Sequence, residues 1–190
     1  MPEHASHQPR HVPQVMVSST FLDLAEHRAA MIQAIHKHKL HANVMEHDDA
    51  RLSHDVIDSS LHMVRDSAAY ILVISLKYGQ TPACPDRNPS QLSITELEFN
   101  EAQRLERPIL LFIMGDKHPG TKDDFERDPA KEPKLNAFRE RAKKKMRSSV
   151  PLSHLNADCH EIERSQAAWP ATNLIRAASC CTLHNVRRIS

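Results

Sequence analysis

One carboxylate in this sequence lies where a side chain could take part in chemistry. Glu98 belongs to the segment Ser93–Ala102, in which Ser93 and Glu96 form a capping box that predicts the start of a helix. Glu98 falls at the border of the apolar stripe of this helix, where a carboxylate is partly desolvated and needs a partner, a substrate or a raised pKa. It is our candidate reactive group, with an arginine pair or a loop cap as the structural alternative. Glu96 and Glu101 are expected to be a cap residue and a solvated helix residue.

A second group of polar residues follows the first hydrophobic strand pattern. Ser18, Ser19 and Thr20 come directly after Val15–Val17 and precede a segment with helical periodicity. The backbone N–H groups at the start of a helix carry partial positive charge, so this turn could bind a phosphate. Plain helix capping is the alternative for the serines.

Strands and helices must alternate to position these residues. Strands are predicted at 15–17, 41–45, 70–75 and 109–114, and the amphipathic segments between and after them include 24–35, 56–64 and 133–146. This order predicts a doubly wound α/β domain with a parallel sheet and helices on both faces. Ligands bind at the carboxyl ends of such strands, where the serine turn, a loop with Tyr78 and Gly79, and the start of the Glu98 helix should meet.

The two ends of the chain are predicted to differ from its centre. Residues 1–12 are histidine-rich without apolar periodicity and are expected to be a flexible lead-in. The domain itself is predicted at 13–148. Residues 149–190 are expected to form an extension that completes or flanks it, with a fifth strand near 149–152 and a last helix near 170–178.

Composition and charge narrow the functional classes. The formal net charge is +1 and 40% of the residues are hydrophobic, which is typical of a globular domain with no global attraction to nucleic acid. The basic run at 139–147 has the spacing of a solvated helix face. No apolar run reaches the roughly 20 residues of a membrane helix. We therefore expect neither a nucleic-acid partner nor a membrane partner.

The cysteines, histidines and glycines exclude other site types. The four cysteines form no CxxC pair and the N-terminus does not read as a signal peptide, which favours a reduced, cytoplasmic protein. His36, His38 and His41 do not converge on one helix face, so no metal site is predicted. Three glycines in the whole chain exclude GxGxxG and GxxxxGK[ST] sequences, and with them a dinucleotide fold of that type and a P-loop NTPase.

Three ordered motifs of the chain resemble the DUF4062 family. They are Val15–Leu24 with the following Arg28, Ile71–Gly79, and Ser93–Ala102, and the resemblance covers roughly residues 13–146. Members of this family look like relatives of the Toll/interleukin-1 receptor (TIR) domain and of nucleoside deoxyribosyltransferase-like domains, and they commonly begin longer signalling proteins. The resemblance implies a TIR-like, flavodoxin-like fold.

The same resemblance implies a chemistry for Glu98. The deoxyribosyltransferase pattern Thr-x-x-Glu-x-x-x-Ala, whose glutamate attacks the anomeric carbon, is matched by Thr95, Glu98 and Ala102. TIR domains that cleave NAD place a glutamate at the equivalent strand-to-helix junction. Both patterns imply cleavage at a ribosyl C1′, with NAD as a substrate and no cofactor. Because nicotinamide leaves as a neutral group, one glutamate could suffice to stabilise the oxocarbenium-like state.

Other residues near the predicted edge are candidates for holding the substrate. Phe21 and Tyr78 could stack on a base or a nicotinamide ring, although an aromatic residue at a strand end is more often part of the core. Arg51, in the loop after the second strand, could meet a phosphate or ribose, with a surface salt bridge as its alternative. Gly79 and Thr95 complete the predicted substrate-binding set.

Three functions follow from these expectations, in order. The first is a TIR-like domain that cleaves the N-glycosidic bond of NAD or a related nucleotide in signalling or defence, which would make it an NAD glycohydrolase. The second is a non-catalytic module that self-associates or recruits a signalling partner, marked by an occluded pocket around Glu98 or an apolar surface patch. The third is a deoxyribosyltransferase-like enzyme, disfavoured because no second acidic residue clearly reaches the sugar hydroxyls.

Overall fold

The computed structural model of the chain describes residues 12–19, 24–45, 53–114 and 122–146. In this part of the chain strands and helices alternate: β1 (Gln14–Ser19), α1 (Ala25–Lys37), β2 (His41–Val44), α2 (Ser53–Asp66), β3 (Ala69–Ile74), α3 (Ile94–Arg104), β4 (Ile109–Ile113), a 3₁₀ turn (Lys122–Asp124) and α4 (Glu132–Met146). The strand predicted near 149–152 and the helix predicted near 170–178 lie outside the described residues, as does nearly all of the N-terminal lead-in.

The four strands form one parallel sheet in the order β2-β1-β3-β4. Val17 of β1 pairs with Val44 on one side and Ile71 on the other, and Ile71 is followed across the sheet by Leu110 of β4. The predicted parallel topology is therefore confirmed. The strand order reverses between β1 and β3, because β2 extends the sheet in one direction and β4 in the other. Such a switch point opens a crevice at the carboxyl ends of the strands.

Alternate residues of the strands face two separate layers of helices. One core cluster joins Met16 and Leu72 to Val64 of α2, Phe99 of α3 and Phe138 of α4. The other cluster packs the opposite face of the sheet against α1. On the strands its buried members include Val15, Val17, Ile71 and Val73, and on α1 they include Ile35. Helices thus cover both faces, and the period-2 alternation places Ser18 on the same face as Met16, toward α3.

The helix that carries Glu98 begins at the predicted residue. Ser93 is the N-cap of α3, and its hydroxyl accepts a hydrogen bond from the backbone N–H of Glu96 at 3.2 Å. The N–H of Ile94 donates to the carbonyl oxygen of Gln80 at 2.9 Å, which ties the first turn to the loop after β3. This start fixes Thr95 and Glu98 one turn apart at the edge of the sheet.

The prediction that Glu101 is a solvated residue is wrong. Its side chain is 8% exposed, and its carboxylate accepts hydrogen bonds from Nε of Arg65 on α2 and Nε of Arg104, both at 2.7 Å. These two arginines, with the bond from Arg104 the larger cause, lower the pKa of Glu101 to about 2 although burial opposes them. Glu101 therefore joins α2 to α3 behind the helix face that bears Glu98.

We expect Glu101→Gln to lower the free energy of unfolding by roughly 1–2 kcal/mol at pH 7, because a charged partner of the arginines is lost. The folded-state pKa lies below the ordinary 4.5, so this contribution is present above pH 4.5 and is lost as the pH falls toward 2. Urea unfolding at pH 7 and pH 3, with the exposed Glu106→Gln as control, measures it. A deficit for Glu101→Gln that is equal at both pH values would contradict the assignment.

Candidate functional site

A cavity of about 580 Å³ opens at the carboxyl edge of the sheet, at the switch point between β1 and β3. Its wall combines the end of β1, Arg28 of α1, the loop after β3, the start of α3 and the segment 123–131. A volume of this size is ordinary for a small-molecule site. The cavity lies where the fold class predicts a ligand.

Glu98 lies in the wall of this cavity and is held by a strand residue. Ser18, on the face of β1 that points toward α3, donates a hydrogen bond from Oγ to Oε2 of Glu98. The Glu98 side chain is 3% exposed, and Thr95, one turn earlier on α3, is also buried in the wall. Ser18 and Glu98, two of the residues predicted at this edge, thus lie together in the wall, and Thr95 lies beside them; their roles stay a prediction.

Burial sets the protonation of Glu98. Loss of solvent raises the pKa of this carboxyl from 4.5 to about 8, against the hydrogen bond from Ser18 and the positive charge of Arg28, which both lower it. The group is therefore mostly protonated at neutral pH. A cation that enters the cavity would favour the carboxylate and release the proton.

Two residues that the sequence did not single out for the site contribute to the surroundings of Glu98. Arg28 is buried in the cavity wall and donates from Nη2 to the carbonyl oxygen of Met45, just after β2. Tyr70 of β3 is buried behind the wall, with its hydroxyl 3.4 Å from the carbonyl oxygen of Thr95. Burial and the charge of Glu98 raise the pKa of Tyr70, and a hydrogen bond with Ser18 opposes the rise. When it is ionised, the Glu98 carboxylate therefore has the guanidinium of Arg28 and the hydroxyl of Tyr70 as neighbours and little exposure to solvent.

The serines do not form the turn that the sequence predicted. Ser18 and Ser19 are the last residues of β1 and pair with Leu72 and Val73, because the backbone hydrogen bonds of the sheet continue through them. Helix α1 begins only at Ala25, with no side-chain cap on Leu24, so it does not follow the serines directly. The expectation of helix capping by these serines is wrong.

Ser19 nevertheless lines the cavity. Within the described residues its Oγ is a buried polar atom without a hydrogen-bond partner. The predicted substrate-binding residues Thr20, Phe21 and Arg51 lie outside the described residues.

The loop after β3 supplies one side of the wall. Gly79 lines the cavity with φ 88°, a backbone angle that a residue without Cβ adopts at little cost. Farther along the loop, the side chain of Asn88 bonds to both the N–H and the carbonyl oxygen of Leu92, at 2.8 and 2.9 Å. Lys77 and Gln80 flank Gly79 in the wall. The predicted Tyr78-Gly79 loop therefore meets the cavity through its backbone and its neighbours.

Tyr78 itself is directed into the core. Its side chain is 2% exposed, belongs to the cluster with Phe99, and donates from its hydroxyl to Oε2 of Glu96 at 2.5 Å. Burial and this carboxylate raise the pKa of the phenol. Tyr78 does not belong to the described wall of the cavity, which contradicts the expectation that it lines the cleft with Glu98.

Glu96 is more than a cap residue. Its N–H completes the cap, but its carboxylate is 6% exposed and pairs with Arg141 of α4 at 2.8 Å as well as with Tyr78. The carboxylate therefore links α3 to α4 instead of returning to Ser93.

The opposite rim of the cavity comes from residues 123–131, between β4 and α4. The N–H of Glu126 donates to the carbonyl oxygen of Leu76 at 2.8 Å, and its Oε2 accepts from the N–H of Tyr78 at 2.9 Å. Lys131 donates from Nζ to the carbonyl oxygen of Gly79 at 3.2 Å. These contacts attach residues 126–131 to the end of β3.

Neither a metal-binding cluster nor a membrane-spanning helix occurs in the described ranges. No group of three or more His, Cys, Asp or Glu residues there is placed to hold a metal ion. Helices in the same ranges are too short or too polar to cross a membrane.

Comparison with known proteins adds a family to this description. Residues 14–166 match the family model described as "Domain of unknown function (DUF4062)". A search of the curated proteins found no match for the chain.

Proposed function

Because this chain belongs to the DUF4062 family, whose description assigns no activity, we propose its function from the cavity: a TIR-like domain that hydrolyses the N-glycosidic bond of NAD or a related nucleotide. The observation that carries the proposal is the placement of Glu98. A nearly buried carboxylic group, hydrogen-bonded by Ser18, lines a ligand-sized cavity at the switch point of a parallel sheet.

The proposed reaction requires one carboxylate close to C1′ of the ribose. The bond between C1′ and the pyridinium nitrogen breaks, and its electron pair returns to the ring, so that nicotinamide leaves as a neutral molecule. The Glu98 carboxylate stabilises the positive charge that develops on C1′. Water then adds to C1′ and loses a proton, and the products are nicotinamide and the ribosyl nucleotide. No acid is needed for the leaving group.

The proposed role of Glu98 as an anion fits a cationic substrate better than a neutral nucleoside. A neutral base needs a proton on its leaving nitrogen, whereas the pyridinium ring already carries the charge. The positive ring would also lower the pKa of the buried carboxyl and so convert Glu98 into the anion that the reaction needs. Ser18 holds Oε2, which leaves Oε1 for the substrate.

A pH profile tests this mechanism. We expect kcat/KM for nicotinamide release from NAD to rise with pH and to level off above about 8, because the free protein must lose the Glu98 proton before or upon binding. The measurement is nicotinamide release by purified protein between pH 6 and pH 9.5, in dilute and concentrated samples. A rate that is flat or falls through this range would contradict an anionic role for Glu98.

The two other expected functions make different demands on the same site. A non-catalytic module predicts an occluded pocket or an apolar patch. Glu98 instead borders a cavity, and the large apolar side chains exposed in the described part are Val12 and Phe125. A deoxyribosyltransferase predicts a second carboxylate for the sugar. Asp123 and Glu126 also line the cavity, but Asp123 pairs with Arg127 at 2.5 Å and Glu126 binds backbone N–H groups.

A further inference from the structure

We propose that Phe125 and Lys77 form a second subsite at the mouth of the cavity, which binds the base and phosphates of the nucleotide portion that is not released. This inference rests on the proposed function and extends it by naming the substrate class. The substrate is then a dinucleotide with a second aromatic base, as distinct from a mononucleotide or nucleoside.

Phe125 is exposed where an apolar side chain has no structural reason to be exposed. Its ring is 42% accessible and yet lines the cavity, whereas Glu98 in the same wall is 3% accessible. Glu98 therefore lies at the closed end and Phe125 at the mouth. A substrate whose C1′ meets Glu98 presents its distant part to Phe125. An exposed aromatic face there can stack on a flat base.

The backbone that follows Phe125 is held in place by hydrogen bonds. Oε1 of Glu126 accepts from the N–H groups of Arg127 and Asp128 at 3.1 and 3.2 Å, while Oε2 binds the N–H of Tyr78. Lys131 joins the same segment to Gly79. The ring is thus presented on a turn that is bonded to the end of β3, which reduces the entropy lost when a base stacks on it.

The charge of the cavity wall suits phosphates. Arg28, Lys77, Arg127 and Lys131 are its basic residues, and they outnumber its acidic residues Asp123, Glu126 and Glu98 even when Glu98 is ionised. Asp123 is already paired with Arg127.

Lys77 follows β3 directly, and its backbone is fixed by Ser75, whose Oγ accepts from the N–H of Lys77 at 3.0 Å. A phosphate group near Lys77 would meet this excess of basic side chains. This charge lies in the same wall as both the ring of Phe125 and the carboxyl of Glu98.

Calorimetric titration of the Glu98→Gln protein separates binding from turnover. Three ligands are compared. They are NAD, ADP-ribose, which keeps the adenine base and the phosphates, and nicotinamide riboside, which lacks both. We expect Phe125→Ala, added to Glu98→Gln, to raise the Kd of NAD and of ADP-ribose by roughly 10-fold. The Kd of nicotinamide riboside should rise by less than about 2-fold. Phe125→Trp should restore the affinity. Lys77→Ala should weaken the binding of NAD and ADP-ribose and make their affinities depend less on salt concentration.

Matched controls are Val12→Ala, which removes another exposed apolar side chain, and Lys144→Ala, which removes an exposed charge outside the cavity wall. The inference is overturned if the Phe125→Ala protein binds ADP-ribose as tightly as its parent, or if its affinity for nicotinamide riboside falls by the same factor. It is also overturned if ADP-ribose does not bind at millimolar concentration. Glu98-dependent nicotinamide release alongside any of these results leaves the proposed function standing. Phe125-dependent binding without turnover leaves the subsite standing and removes the catalysis.

Discussion

Glu98→Gln should lower the rate of nicotinamide release by roughly 100-fold or more while the protein stays folded and binds NAD. The amide keeps the shape of the carboxyl group, and its oxygen can accept the hydrogen bond that Ser18 donates. What is lost is the negative charge that stabilises the oxocarbenium-like state. Since the raised pKa of Glu98 already favours its neutral form at pH 7, the substitution should disturb the free protein little.

The control for this experiment follows from the structure. Glu96 was expected to be only a cap residue, but Glu96→Gln is unsuitable because the Glu96 carboxylate pairs with Arg141 and Tyr78 in the interior. Glu101→Gln is better matched, since it removes a buried carboxylate from the same helix but outside the described cavity wall. Its rate per folded molecule should equal that of the unmodified chain. Equal rates for Glu98→Gln and the unmodified chain would eliminate the proposed role. If the protein releases no nicotinamide under any condition in which it forms oligomers, the non-catalytic binding module becomes the better explanation of its function.

The features of this site that could be predicted are those that depend on local spacing. The apolar run Val15–Val17 placed a strand, and the capping box at Ser93 fixed the start of the helix that carries Glu98. Right-handed connections then bring the carboxyl ends of β1 and β3 to one edge. Each step uses residues only a few positions apart, so the sequence contains enough to decide it.

The features that were missed depend on partners far along the chain. Glu126 and Lys131 meet the loop after β3 across 48 and 52 residues, and no periodicity in their segment indicates this. The direction of Tyr78 is decided by Glu96, which is itself held by Arg141 from α4. Sequence alone does not determine to which side an aromatic residue at a strand end points, because the direction depends on such a distant partner. The ring offered to the cavity is therefore Phe125, in a segment whose sequence showed only charge and proline.

The pH dependence of folding should report the burial of Glu98 without any assumption about catalysis. Its folded-state pKa, about 8, lies above the ordinary 4.5, so between these values the folded protein holds a proton that the unfolded chain has released. The stability that this proton contributes is complete below about pH 4.5 and is lost as the pH rises to 8. Glu101 acts in the separate window below pH 4.5, because its pKa is lowered.

Glu98→Gln should therefore be more stable than the unmodified chain at pH 8.5, by on the order of a few kcal/mol, since up to about 1.4 kcal/mol is lost per pH unit in the window. At pH 5 the two should be nearly equal. Urea unfolding across this range gives the difference, in which the titration of other groups cancels, and Glu106→Gln at an exposed position provides the reference. A constant difference between pH 5 and pH 8.5 would mean that the Glu98 carboxyl is solvated or firmly paired as an anion. The cavity would then lack a desolvated carboxyl group. Both its proposed preference for a cationic ring and its proposed reactivity depend on that group.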